Sequence, residues 1–107
     1  MESQNSNLKI QNHNVKIKID LRDRTYQYSL AVIKVLAALP NERVYWVIAD
    51  QLLRSATSVG ANVMEAKSAS SKRDFIRFYE IALKSANESK YWLMLLGEGT
   101  SVGSSKV

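Results

Sequence analysis

The chain has 107 residues, of which 46% are hydrophobic, and a formal net charge of +5. This length supports one domain, and this apolar fraction is enough for a core, which excludes a wholly disordered chain. Cysteine is absent and His13 is the only histidine, which excludes disulfides and argues against imidazole catalysis and metal binding. We therefore expect no cofactor. No apolar stretch approaches the roughly 20 residues of a membrane span, so a cytoplasmic location is expected.

Residues 1–19 form a polar N-terminal segment. From Val15 to Ile19, β-branched residues alternate with Lys16 and Lys18, and this period of two predicts a short strand over 15–19. A lone strand is not stable, so we expect it to lie along the rest of the protein or to pair with another copy.

Apolar residues spaced by threes and fours predict three helices within a bundle domain at 20–97. Asp20 and Asn41 are the expected N-caps of the first two, and Ser70 or Ser71 starts the third, where Ser71 to Asp74 resembles a capping box. The predicted helices cover Leu21 to Leu39, Glu42 to about Ser68, and Lys72 to about Leu96. Their predicted buried faces include Val32 and Val35, then Leu52, Ala56, Val59 and Val63, then Phe75 and Ala82. Short connections make neighbours antiparallel, so the fold class is an all-α, up-down bundle, followed by a flexible tail at 98–107.

The second helix is more apolar than an ordinary surface helix. Beside its core stripe it carries a second apolar set, Trp46, Leu53, Gly60 and Met64. Together the two sets span an arc of roughly 160°, against about 100° for a simple amphipathic helix. Either two neighbouring helices of the same chain cover this arc, or the second set faces another subunit as an oligomer interface.

A polar ribbon follows the other side of the same helix. Its members are Gln51, Arg54, Ser58, Asn62 and Glu65, with Ser55 beside them. In one interpretation the ribbon is a structural network in which the side chains of Arg54 and Glu65 each find hydrogen-bonding partners across a helix crossing. In the other, it is a binding surface on which Arg54 contacts phosphate.

The segments QLLRSATSVGANVMEA at 51–66 and SSKRDFIRFYEIALKSANESKYWLMLL at 70–96 resemble a bacterial four-helix-bundle family. Its members are often encoded in intervening sequences of 23S ribosomal RNA genes, and they include the accessory protein of diversity-generating retroelements. The residues that carry the resemblance are Pro40, Gln51, Arg54, Ser58, Asn62, Glu65, Ser71, Lys72, Phe75, Ala82, Ser85 and Glu88. The resemblance implies a homo-oligomer, often a pentamer, with nucleic-acid binding in the retroelement branch.

The family continues with a fourth helix, whereas here the sequence continues as GEGTSVGSSKV at 97–107. A missing fourth helix would expose an apolar groove, which soluble monomers rarely tolerate. We expect another copy, a swapped helix or the 15–19 segment to cover it.

The leading hypothesis is a non-enzymatic oligomer that associates with RNA through basic residues, since no nucleophile has a histidine near it. The candidate phosphate contacts are Lys16, Lys18, Arg22, Arg24, Arg54, Lys72, Arg73 and Arg77. The alternative is a protein–protein scaffold without nucleic-acid binding, whose groove receives a partner helix. A membrane-surface role for 91–96 is the weakest interpretation, because the rest of that helix already defines a core face.

Overall fold

The computed structural model describes residues 21–104, and this part of the chain is entirely helical apart from two short turns. Helix α1 covers residues 21–37, α2 covers Arg43–Lys67 and α3 covers Lys72–Ser104. No strand occurs in this range, which confirms the predicted all-α fold. The predicted strand at 15–19 and the last residues, 105–107, lie outside the described residues.

The turn between α1 and α2 is tight. After α1, the N–H groups of Ala38 and Leu39 donate to carbonyls three residues earlier, at 3.1 and 3.2 Å, which closes the helix end. Glu42, not Asn41, is the N-cap of α2, and no side chain caps this end. The prediction for Asn41 is wrong because the Glu42 N–H bonds the Pro40 carbonyl at 2.9 Å, which moves the helix start forward by one residue.

Helix α3 begins where the sequence predicts. The Ser71 Oγ accepts a hydrogen bond from the Asp74 N–H at 3.1 Å, so the predicted N-cap is confirmed. Asp74 also places a carboxylate in the first turn, where its negative charge interacts favourably with the positive end of the helix dipole.

The end of α3 does not follow the prediction. The helix continues past Leu96 to Ser104, so α3 is longer than predicted. No described glycine has a positive φ, and therefore Gly97 does not form the left-handed cap that usually ends a helix. A glycine inside a helix costs about 1 kcal/mol, which weakens the helix without ending it. The Thr100 Oγ1 also donates to the Leu96 carbonyl at 2.7 Å.

The core lies where the three helices meet. Its centre is formed by Leu52 and Ala56, both fully buried, with Val32 and Leu96 at 3% and 4% exposure. Half-buried residues surround this cluster: Tyr28, Leu36, Leu39, Tyr45, Ile48, Trp92 and Leu93. Helix α2 thus supplies the central face, as its apolar periodicity predicted.

Side-chain pairs fix the directions of the helices. Between α2 and α3, Arg54 pairs with Glu88 while Ser58 pairs with Ser85, so these helices run antiparallel. Gly60 of α2 lies close to Thr25 of α1, and core residues of these two helices also pack together. Helices α1 and α2 are therefore antiparallel as well. Helices α1 and α3 consequently run in the same direction. Their shared side is bridged by one hydrogen bond between Tyr28 and Ser89.

Candidate functional site

Glu88 is the centre of a polar network between α2 and α3. Its Oε2 accepts hydrogen bonds from Arg54 Nη2 and from Trp92 Nε1, the latter at 3.1 Å. The same Arg54 nitrogen donates to Gln51 Oε1 at 3.0 Å. Two donors, Arg54 from α2 and Trp92 from α3, therefore share one carboxylate oxygen, and the charged pair of Arg54 and Glu88 links the two helices.

Small hydroxyl residues continue this network along the same helix pair. Ser58 Oγ and Ser85 Oγ are 2.9 Å apart, which requires close approach of α2 and α3. Asn62 Nδ2 donates to the Ser58 carbonyl at 2.8 Å and to the Ser58 Oγ at 3.0 Å. The ribbon of α2 therefore lies at a helix–helix contact rather than facing solvent along its whole length.

This geometry supports the structural interpretation of the ribbon for Arg54 but not for Glu65. The residue that meets Arg54 across the helix crossing is Glu88, whereas Glu65 is exposed and takes no part in the network. Sequence analysis missed Trp92 as a member. The sequence feature that points to Trp92 is its position four residues after Glu88, because this spacing places both side chains on one face of α3.

The network lowers the pKa of Glu88. The Trp92 indole N–H is the largest cause, and the Arg54 guanidinium adds a hydrogen bond and a charge, while partial desolvation opposes them. The positive charge of Lys84 lowers the pKa further. Since the folded pKa is depressed, the ionised network stabilises the fold above the ordinary value of 4.5. That contribution is lost as the pH falls through the folded pKa.

This arrangement predicts an acid titration seen through Trp92. In a Trp46→Phe background, where Trp92 is the sole indole, its emission should shift on protonation of Glu88, with a midpoint below pH 4.5. Replacing Glu88 with glutamine should abolish the transition. A midpoint at or above the ordinary value would contradict the described network.

The candidate phosphate contacts fall into separate places. The structure brings Lys72, Arg73 and Arg77 together in one shallow depression on α3, which Asp74 and Glu80 also line. The three cations are exposed and form no ion pair with a described residue. Arg54 is not part of this group, because it lies against Glu88.

The remaining predicted cations are on or before α1. Arg22 is half-buried and Arg24 is exposed. Lys16 and Lys18 lie outside the described residues. The predicted set of phosphate contacts is therefore not one continuous surface over residues 21–104.

The predicted oligomer interface lies on the outer side of α2. Trp46, Leu53 and Met64 are 56%, 38% and 55% exposed, so the chain's own helices leave most of this set uncovered. Gly60 differs, because a Cβ at this position would be 3.5 Å from atoms of Thr25. Gly60 therefore serves the contact of α2 with α1.

Helix α1 extends this apolar surface. Tyr26, 61% exposed, lines a cleft with Met64, and Ile33, 47% exposed, follows one heptad later. Neither Tyr26 nor Ile33 belongs to the predicted interface, because the wide apolar arc that predicts it lies on α2 alone. We define the α1–α2 face as Tyr26, Ile33, Trp46, Leu53 and Met64.

Residues 21–104 contain neither a membrane-spanning helix nor a metal-binding cluster. None of the helices has the length and apolar character needed to cross a membrane. No three histidine, cysteine or carboxylate side chains in this range come together where they could hold a metal ion.

Comparison with known proteins confirms the resemblance seen at 51–66 and 70–96. The profile of the family described as 23S rRNA-intervening sequence protein matches residues 18–106. The chain is similar to a crystal structure from Bacteroides thetaiotaomicron, a protein with unknown function from the S23 ribosomal protein family, at 40% identity and a TM-score of 0.71. The match covers 77% of this chain and 73% of that chain. The search of curated proteins gave no match. The chain therefore belongs to the 23S rRNA-intervening sequence protein family.

Proposed function

We propose that this protein is a non-enzymatic, self-associating helical bundle that binds RNA through the basic surface of α3. The observation that carries the RNA proposal is the exposed group of Lys72, Arg73 and Arg77, which forms no ion pair among the described residues. Exposed cations without an ion-pair partner can displace counterions on a phosphate backbone, and Asp74 and Glu80 in the same depression offset part of their charge.

Self-association is supported by the α1–α2 face. Its exposed residues include a tryptophan, a tyrosine and a methionine, residue types that are enriched at protein interfaces. Isolated exposed apolar residues are normal, whereas a continuous group of them marks an interaction surface. A second copy of the chain would cover this face.

The non-enzymatic part of the proposal rests on how the polar side chains are used. Ser55 donates to the Gln51 carbonyl at 2.9 Å, and Ser58 and Ser89 likewise bond neighbouring groups. Glu88 is bound to Arg54 and Trp92. These groups thus have structural partners, whereas a nucleophile needs an adjacent base.

Anisotropy of a fluorescein-labelled RNA hairpin tests the RNA proposal. Affinity should fall as KCl rises from about 50 to 200 mM, and the double variant Arg73→Ala/Arg77→Ala should reduce the logarithmic salt slope by about 2. The matched control is Lys34→Ala/Arg43→Ala, which removes the same charge from exposed positions on α1 and α2. The control should leave most of the slope intact.

Two results would overturn RNA binding at this surface. One is an affinity that does not change with salt, because phosphate contacts release counterions. The other is an equal loss in the test and control variants, which would show that only net charge matters.

A further inference from the structure

Exposed cations and one exposed aromatic ring follow a single line along the outer side of α3. Arg73, Arg77 and Lys84 are exposed, and Tyr91 is 56% exposed. At about 100° per residue, these side chains lie within about 40° of each other, and about five turns separate Arg73 from Tyr91. We define this group as the α3 stripe. It is about 27 Å long at 1.5 Å per residue and extends the basic depression at the start of α3.

The α3 stripe keeps a net positive charge. Glu80 lies on the same line, between Arg77 and Lys84, and it offsets part of that charge, as Asp74 does in the basic depression. Glu88 is farther round the helix and is already paired with Arg54 of α2. The cations of the stripe therefore outnumber the carboxylate on its line, and a strand of phosphates is attracted along it.

Tyr91 differs from the other members of the stripe because its ring rests on a second, fixed ring. The centroids of the Tyr91 and Trp92 rings are 5.1 Å apart, with an interplanar angle of 68°. Trp92 packs against the core cluster, and its Nε1 donates to Glu88 Oε2 at 3.1 Å. An exposed ring that is already held in this way loses little freedom on binding, which favours stacking of another flat group.

An exposed aromatic ring beside cations matches the chemistry of an unpaired nucleotide. Bases stack on such rings where their faces are free, as in single strands and loops. Inside a double helix, neighbouring bases cover both faces. A duplex can therefore use the cations of the stripe but not the ring of Tyr91.

We propose that the α3 stripe binds a single-stranded stretch of RNA, with phosphates on Arg73, Arg77 and Lys84 and an unpaired base stacked on Tyr91. This inference rests on the proposed RNA binding and adds which form of RNA the surface selects. The cations and the ring contribute separately, because phosphate contacts weaken as salt rises whereas stacking uses the face of the base.

Anisotropy with two matched strands tests the stacking step on the full chain. The probe is a labelled oligoadenylate of about 12 nucleotides, and the control is a ribose–phosphate strand of the same length without bases. Both strands carry the same charge, so the cations bind them equally. The unaltered chain should bind oligoadenylate about tenfold more tightly than the base-free strand.

Substitution of Tyr91 provides the matched test on the protein. Tyr91→Leu should weaken oligoadenylate binding about tenfold, without changing the logarithmic salt slope or the binding of the base-free strand. Tyr91→Trp should retain the affinity, because it keeps an aromatic face. The control is Phe75→Leu, which removes a ring that is 39% exposed on the opposite side of α3 and should change binding by less than about threefold.

Two lysines of α3 test the path of the strand. Lys84 belongs to the stripe, whereas Lys90 is also exposed but lies about 120° away around the helix. Lys84→Ala should reduce the logarithmic salt slope of oligoadenylate binding by about 1, and Lys90→Ala should leave the slope unchanged. Equal effects of the two variants would contradict the proposed path.

Other outcomes separate this inference from the proposed function. Equal binding of the two strands, with the usual salt dependence, would overturn base stacking and leave RNA binding intact. Binding that does not respond to salt would overturn both. A change in sedimentation caused by Tyr91→Leu, without a change in oligoadenylate affinity, would assign the Tyr91 ring to a protein contact.

Discussion

Replacing Leu52 with alanine should lower the free energy of unfolding by about 3 to 5 kcal/mol. Leu52 is completely buried and contacts the cluster that joins all three helices. Truncation removes its transfer free energy and leaves a cavity that rigid helices cannot close. Since the free energy of unfolding of small domains is about 5 to 15 kcal/mol, this substitution should remove much of the total stability. Urea unfolding followed by far-ultraviolet circular dichroism measures the change.

The neighbouring residue is the matched control. Leu53 has the same side chain one position later but is 38% exposed, so Leu53→Ala should cost about 1 kcal/mol or less in the dissociated chain. Both variants are compared at one low protein concentration, because Leu53 belongs to the α1–α2 face. Equal losses for the two variants would contradict the described orientation of α2.

The double variant Trp46→Ala/Met64→Ala should abolish self-association at micromolar concentration. Central interface residues cost 2 kcal/mol or more each when truncated, so two of them should raise the dissociation constant by about a thousandfold. Their exposures of 56% and 55% in the single chain indicate that folding does not depend on them. Sedimentation velocity across a concentration series measures the assembly.

A third large apolar residue outside this face controls for lost hydrophobicity. Leu83 is 65% exposed on α3 and lies on the other side of the bundle. Leu83→Ala should leave the sedimentation profile unchanged. A monomeric unaltered chain at micromolar concentration would refute self-association, and dissociation by Leu83→Ala would place the interface elsewhere.

Helical periodicity predicted the centre of this fold well. Leu52, Ala56, Val59 and Val63 are all buried, because one side of α2 is covered by both neighbours. The same rule failed for Val35 and Phe75, which are 49% and 39% exposed. Periodicity gives the direction of a side chain on its helix, whereas burial also requires another element opposite it. Within residues 21–104, Val35 and Phe75 are only partly covered.

The candidate site was harder to predict than the fold. The ribbon of α2 was visible in the sequence, but its partner across the crossing was not, because pairing depends on the register of α2 against α3. Ser58 facing Ser85 sets that register and brings Glu88 to Arg54. The length of α3 was also misjudged at Gly97, because composition does not reveal whether a glycine adopts a positive φ.

The direction of the helices has an electrostatic consequence for how a large anion approaches. Since α1 and α3 run in one direction and α2 runs in the other, the peptide dipoles of one helix remain uncancelled. An uncancelled helix corresponds to roughly half a positive charge at its N-terminal end, which here is the end that carries Lys72 and Arg73. The molecule consequently has a permanent axial polarity that side-chain substitutions do not remove. An anion at the first turn of α3 meets this partial charge together with the side chains of Lys72 and Arg73, and the effect of the partial charge fades beyond that turn.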